Sequence, residues 1–228
     1  MRVHRNFAFV DLSGFSALTE SEGDERAVSV LSTFRMLVRD ICSRRGVRIA
    51  KWLGDGAMLV NVEATPVLAA TLEMQRAVTK GDQPTQIRCG VSSGPVILLE
   101  GDDYIGHSVN VAARLCDLAK SGEVLTATSM IDLLPKWGTV LATEETMVRG
   151  LEKPIPVTRI GLRPLAGPVM DDPVCGIPLS KEVAEEVDRD NLGEEVWFCS
   201  DSCHDTWQHR PRQAPERQGS LRTPLIGS

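Results

Sequence analysis

The sequence predicts an α+β fold, a sheet with helices packed on it, and three observations carry that reading. Strand-like and helix-like patterns alternate along roughly the first 160 residues. Two apolar strand-like runs flank Gly54-Asp55-Gly56, a strong hairpin signal because glycine supplies the positive φ of a tight turn, and an antiparallel pair excludes a purely parallel sheet. Apolar residues make up 42% and charged residues 25% of the 228, enough to build a core and far from disordered compositions. That length allows one large domain and an appendage.

Taken in order, residues 7–10 form a short apolar strand ending in Asp11-Leu12-Ser13-Gly14. Ala27, Leu31, Phe34, Val38 and Ile41 then recur at helical spacing through one long amphipathic segment. Residues 47–53 and 57–62 are the hairpin strands, and Pro66 opens a second helix reaching about Lys80. Residues 87–91 read as a strand, and residues 108–119 as a third helix that Gly122 ends. Short strands follow at 124–126, 139–146 and 157–160. The division expected is a large domain over 1–161, a Gly/Pro linker over 162–170, a compact cysteine-containing segment over 171–211 and a disordered tail over 212–228.

Charge and cysteine placement exclude several functions. The formal net charge is −6, from 31 acidic and 25 basic residues, so the chain lacks the positive field of a nucleic-acid or anionic-membrane binder. A single Tyr and five Phe give little for base stacking on an RNA-binding sheet. No apolar stretch approaches a membrane span, and the opening MRVHRNFAFV has no signal-peptide core, so a cytoplasmic protein with reduced thiols is expected. Cys42, Cys89 and Cys116 stand singly in apolar runs, as small buried residues do.

Several residues stand out chemically. Asp11 follows a strand and Asp55 sits in the hairpin tip, where a sheet can bring both carboxylates to one edge as oxygen ligands for Mg²⁺ or Mn²⁺. Asn110 and Arg114 lie four apart, on one face of a predicted helix, where an amide and a guanidinium can hold a sugar and a phosphate. Lys51 is unusual inside an apolar strand. Each has a plain structural alternative: a capping Asp11, a turn Asp55, a solvated Arg114, a snorkelling Lys51.

Taken together, Phe9-Val10-Asp11-Leu12-Ser13-Gly14-Phe15, Lys51-Trp52-Leu53-Gly54-Asp55-Gly56 and the stretch from Asp103-Tyr104-Ile105-Gly106 to Asn110-Val111-Ala112-Ala113-Arg114 resemble the class III adenylate and guanylate cyclase catalytic domain, in motif order. The resemblance implies a ferredoxin-like cyclase sheet and conversion of ATP to 3',5'-cyclic AMP and pyrophosphate with two Mg²⁺ or Mn²⁺ ions per site. By it, Asp11 and Asp55 are the metal aspartates, Lys51 and Asp103 read adenine, Asn110 orients the ribose and Arg114 stabilises the transition state. Arg149 falls where many relatives place a phosphate-binding lysine. It also implies a head-to-tail homodimer in which one subunit gives the aspartates and the other the remaining residues. The alternatives are a guanylate cyclase, disfavoured by Lys51 and Asp103, and a catalytically silent nucleotide- or metal-binding regulator, disfavoured by the intact residue set.

Further on, Asp172-Pro173-Val174-Cys175-Gly176-Ile177-Pro178-Leu179 and Trp197-Phe198-Cys199-Ser200-Asp201-Ser202-Cys203 resemble the small YHS/TRASH modules. Three cysteines at that spacing suit Zn²⁺ or Cu⁺, with His204 and His209 as candidates for a fourth ligand. The fusion motivates the expectation that a metal there regulates the catalytic domain.

Overall fold

A computed structural model describes residues 1–81, 84–99 and 103–210. The tail expected over 212–228, and Asp102 beside Asp103, lie outside the described residues.

Strand β1 (Arg2–Ser13) is followed by helices α1 (Phe15–Glu22) and α2 (Asp24–Arg44). Helix α2 is the amphipathic helix expected through Ala27–Ile41, and α1, set off from it by Gly23 at a φ of 84° that no helix accommodates, is a further helix that the sequence reading missed. The apolar stripe of α2 is as read: Ala27, Val30, Phe34, Val38 and Ile41 are buried, and Leu31 packs against the same core. Strands β2 (Arg48–Leu53) and β3 (Gly56–Asn61) pair antiparallel, with Leu53 opposite Gly56 and Gly54 at φ 64° in the turn. Helix α3 (Ala64–Lys80) leads to β4 (Gln86–Leu98) and the short β5 (Tyr104–Ile105), which the sequence reading missed. Then come α4 (His107–Leu118), β6 (Val124–Ala127), a 3₁₀ turn, β7 (Gly138–Thr146) and β8 (Ile155–Leu162).

The strands form one sheet in the order β2-β3-β1-β4-β6-β8-β7, with β5 on the end of β4. Its first half is the βαββαβ ferredoxin-like unit, all antiparallel, and β4–β6 is a parallel pair, so the sheet is mixed. Cys42, Cys89 and Cys116 are buried, and burial pushes the thiols of Cys42 and Cys116 up to about 12, so they behave as apolar filler.

Residues 163–169 carry neither helix nor strand and lead into β9 (Met170–Asp171), β10 (Pro178–Leu179), the hairpin β11 (Glu186–Arg189) and β12 (Glu195–Phe198), and α5 (Asp201–Gln208). The core of this small module is not separate. Ile177, Leu179, Val183, Trp197 and Phe198 belong to the same apolar cluster as Val38, Ile41 and Trp137. Polar contacts cross the same seam: the Trp137 indole N–H donates to the Cys199 carbonyl at 3.1 Å, and Arg76 donates to the Gly176 carbonyl.

Candidate functional site

Asp11 sits near the end of β1, in register with Gly56 of β3 on one side and Arg88 of β4 on the other. A side chain at Gly56 would meet the Val10 carbonyl at 2.8 Å and Asp11 Oδ1 at 3.0 Å, so glycine there leaves room for the carboxylate. Arg88 donates through Nε (2.9 Å) and Nη2 (2.7 Å) to Asp11 Oδ2. Asp55, in the turn just before Gly56, lies close enough to sense Asp11: burial first, then the Asp11 charge, raise its carboxyl above the usual aspartate value. Two partly buried carboxylates that repel each other, with hard oxygen donors, fit a divalent cation. From α2, Arg35 donates to the Gly54 carbonyl at 3.0 Å, and Arg35 and Arg39 both lie over the Trp52 ring at 5.1 Å, clamping the hairpin that carries Asp55.

Lys51 and Asp103 meet. Nζ lies 2.7 Å from Asp103 Oδ1, with the two side chains 42% and 47% exposed, so both present their polar ends to solvent. The Lys51 hydrogen bond, and then the Tyr104 backbone N–H, lower the Asp103 carboxyl below its usual value.

Asn110, Arg114 and Arg149 form a third group. With His107, Val148 and Leu151 they line a recess of about 210 Å³. The approach of α4 to the sheet depends on Gly90, where a side chain would come within 2.2 Å of the Ala112 carbonyl. Asn110 and Arg114 project from the exposed side of that helix, and Arg114 pairs with Asp117 at 3.1 Å. Neither Asp11 nor Asp55 lines the recess. The expected residues thus fall into three groups on one chain: carboxylates, a Lys–Asp pair and a basic recess.

The cysteine cluster is different in character. Cys175 Sγ lies 3.4 Å from Cys199 Sγ, which lies 3.6 Å from Cys203 Sγ. The Ser200 side chain caps α5 by accepting the Cys203 N–H, which brings the two ends of C-x3-C together. Hydrogen bonds from Cys175, then from Cys199, pull the Cys203 thiol down to about 4, while bonds with Cys199, then with Cys203, and burial push Cys175 up.

The carboxylate of Asp172 completes a group whose ligand atoms all lie within 4.8 Å of one another. That carboxylate is 1% exposed and already occupied: Oδ1 accepts the N–H groups of Val174 (2.8 Å) and Cys175 (3.2 Å), and Oδ2 accepts that of Cys199 (2.8 Å). It ties the two cysteine loops together. The histidines expected as fourth-ligand candidates turn elsewhere. His204 Nε2 pairs with Asp188 at 2.8 Å and His209 bonds the Asp205 carbonyl, because both ride on or just beyond α5 with their rings directed at its neighbours.

Sequence reasoning missed Arg88, Asp172 and Arg45. Arg88 lies inside an apolar strand run, the same signal that singled out Lys51. Arg45 reaches the sulfurs from the end of α2, with Nη2 3.2 Å from Cys199 Sγ and 3.9 Å from Cys175 Sγ. Its Nε lies 2.5 Å from Glu73, a 3% exposed carboxylate on α3 that also pairs with Arg44 at 2.8 Å. A lone acid in the apolar run Val67 to Met74 was the available signal.

Comparison with known proteins agrees with this architecture. Among similar proteins, a pH-sensitive adenylate cyclase of Mycobacterium tuberculosis is 34% identical over 127 residues, 56% of this chain and 32% of that protein. An adenylate cyclase of Streptomyces coelicolor is 27% identical over 164 residues, 69% of this chain and 42% of that protein. The chain spans less than half the length of these curated relatives. The adenylyl cyclase CyaB of P. aeruginosa superposes with a TM-score of 0.58 at 23% identity, covering 70% of this chain and 94% of that one. The guanylate cyclase domain of RhGC from Catenaria anguillulae, solved with GTP, gives 0.61 at 19% identity, covering 72% and 100%. At such identities the likeness concerns the fold. Residues 6–158 match the family described as the adenylate and guanylate cyclase catalytic domain, and the chain belongs to that family.

Proposed function

We propose that the protein is an adenylate cyclase that closes ATP to 3',5'-cyclic AMP and releases pyrophosphate, working as a homodimer. The observation that carries this reading is the placing of Asp11 and Asp55, hard oxygen donors suited to a divalent cation, beside each other where β1 meets the β2–β3 hairpin, apart from the basic recess of Asn110, Arg114 and Arg149. A head-to-tail pair of chains would bring one chain's carboxylates to the other's recess and make two sites.

Asp11 and Asp55 would hold Mg²⁺ or Mn²⁺, which when bound supply Lewis-acid polarisation of phosphate oxygens and of the ribose hydroxyl. Arg88 fixes one oxygen of Asp11 and leaves the other toward the hairpin. Lys51 offers an N–H donor and Asp103 a carboxylate acceptor side by side, the complement of the adjacent acceptor and amino donor on an adenine edge. That favours ATP over GTP. Asn110 holds the ribose, so that its 3'-oxygen faces the α-phosphorus, and Arg114 neutralises the charge that builds on the α-phosphate as the bond to pyrophosphate breaks. Arg149, across the same recess, is suited to the terminal phosphates.

For the module, whose sequence is similar to YHS/TRASH, the reading is a soft-metal site. Cys175, Cys199 and Cys203 supply three sulfurs that fit Zn²⁺ or Cu⁺, while Asp172, with both oxygens engaged by backbone N–H groups, shapes the loops.

The test is cyclic nucleotide formation by the purified chain with ATP or GTP and Mg²⁺ or Mn²⁺. Cyclic AMP is expected, lost in Asp55→Ala; Asp11→Ala and Arg114→Ala are each expected to be inactive but to recover one working site when mixed. Cyclic GMP as the main product would make the protein a guanylate cyclase, and no product with either substrate would make it a silent regulator. Failure of stably dimeric mutants to complement would overturn the shared site.

A further inference from the structure

Arg45 has no part in the nucleotide site, yet it is among the most carefully held side chains in the molecule. Its side chain is 4% exposed at the end of α2, stacked 5.4 Å from the Trp137 ring centre and anchored through Nε to the buried Glu73. The anchored fork leaves Nη2 directed at two of the three sulfurs, Cys199 and Cys175. A recess of about 330 Å³, lined by Arg45, Trp137, Glu185, Cys199 and Asp201 among others, runs along the seam to the same place. Every sulfur comes from the module and the cation comes from the cyclase domain.

We propose that Arg45 is an integral part of the thiolate metal site, so that the site is built jointly by module and cyclase domain. The inference rests on the soft-metal reading of the three cysteines. Three thiolates around a divalent ion leave one net negative charge, and burying it without a counter-charge is costly. The Arg45 guanidinium supplies that charge and a hydrogen bond to Cys199 Sγ, the outer-shell role that orients a metal's ligands and tunes its affinity. Linkage then runs both ways: whatever Arg45 adds to metal affinity, the bound metal adds to the grip between module and α2.

The experiment is Zn²⁺ affinity of the full chain, measured under reducing conditions by competition with a chromophoric chelator, for wild type, Arg45→Met and Arg45→Lys. Loss of an outer-shell partner typically weakens metal binding by about 10- to 100-fold, which is the loss expected for Arg45→Met, with Arg45→Lys restoring part of it. Tryptophan fluorescence, which senses Trp137 at the seam, reports whether each variant is folded. Glu73→Gln, which loosens the anchor while keeping the guanidinium, serves if Arg45→Met does not fold, and is expected to weaken binding by a smaller factor in the same direction. Wild-type binding with folded Arg45→Met within twofold of it, or with Glu73→Gln unchanged where Arg45→Met does not fold, would overturn this inference and leave the metal site standing. Absence of stoichiometric binding of both Zn²⁺ and Cu⁺ by wild type would remove both.

Discussion

The carboxylate edge and the module seam each gather acids and bases from several elements, yet they treat charge in opposite ways. At the edge, Asp11 has one guanidinium on one oxygen and Asp55 has a like-charged neighbour; away from it, Lys51, Asp103, Asn110, Arg114 and Arg149 are likewise exposed or half-exposed. At the seam, Glu73 has two guanidiniums, Arg45 has a carboxylate, two sulfurs and an aromatic face, and Asp172 has three backbone N–H groups, all behind little or no solvent. The charges of the proposed nucleotide site keep at most one ion-pair partner each and stay open to solvent; charges that hold two pieces of chain together have several partners and are dry. The same residue types therefore signify different things in the two places, and removing them should have opposite consequences.

The largest expected effect is at the seam. Glu73→Ala leaves Arg45 buried without its carboxylate and should cost about 3–5 kcal/mol of stability, read from denaturant unfolding. A loss below about 1 kcal/mol would mean the seam is wetter than the burial of Glu73 implies. Next, Asp172→Ala strands three backbone N–H groups where the cysteine loops meet, and should cost about 1–3 kcal/mol by the same measurement.

The smallest effect, and the one of opposite sign, is at the edge. The folded carboxyl of Asp55 has its pKa raised, so whatever it contributes is present below its unfolded pKa and lost as pH rises through the folded value. At neutral pH and without divalent cations it is therefore a net cost. Asp55→Asn should melt slightly higher than wild type, by about 1–3 °C at pH 7, and the difference should vanish as the pH falls through the raised pKa. A lower melting point for Asp55→Asn would break the contrast between the two regions.

How much of this was legible in the sequence follows from the range over which each feature acts. The hairpin, Asp11, Asp55 and the Asn110/Arg114 face depend on residues within a few positions of one another, and the sheet brought them where period and turn chemistry indicated. Helix α1 was missed because its eight residues bury only Leu18 and so show no apolar period. Arg88 carried the same signal as Lys51, a charge in an apolar strand, but its partner is 77 residues away. The seam was least legible. Glu73 and Arg45 are 28 residues apart, and Arg45 and Cys199 are 154 apart. Spacing does reveal that three cysteines can share an ion. It does not reveal that a helix from another part of the chain ends against them, since that depends on which surfaces the finished sheet leaves uncovered.

The shared apolar cluster of Trp137, Val38, Ile177 and Phe198 bears on what the chain can lose. A cut in residues 163–169 looks harmless on paper, since that stretch has neither helix nor strand. Such a cut would bare the indole of Trp137, strip the cover from the ends of α2 and α3, and turn a closed interior into sticky surface. The shorter chain would be a different protein, prone to self-association, and any change in its behaviour would report that exposure as much as the absence of the cysteines. Module and sheet share one apolar core, in which the appendage serves as a wall of the domain it follows.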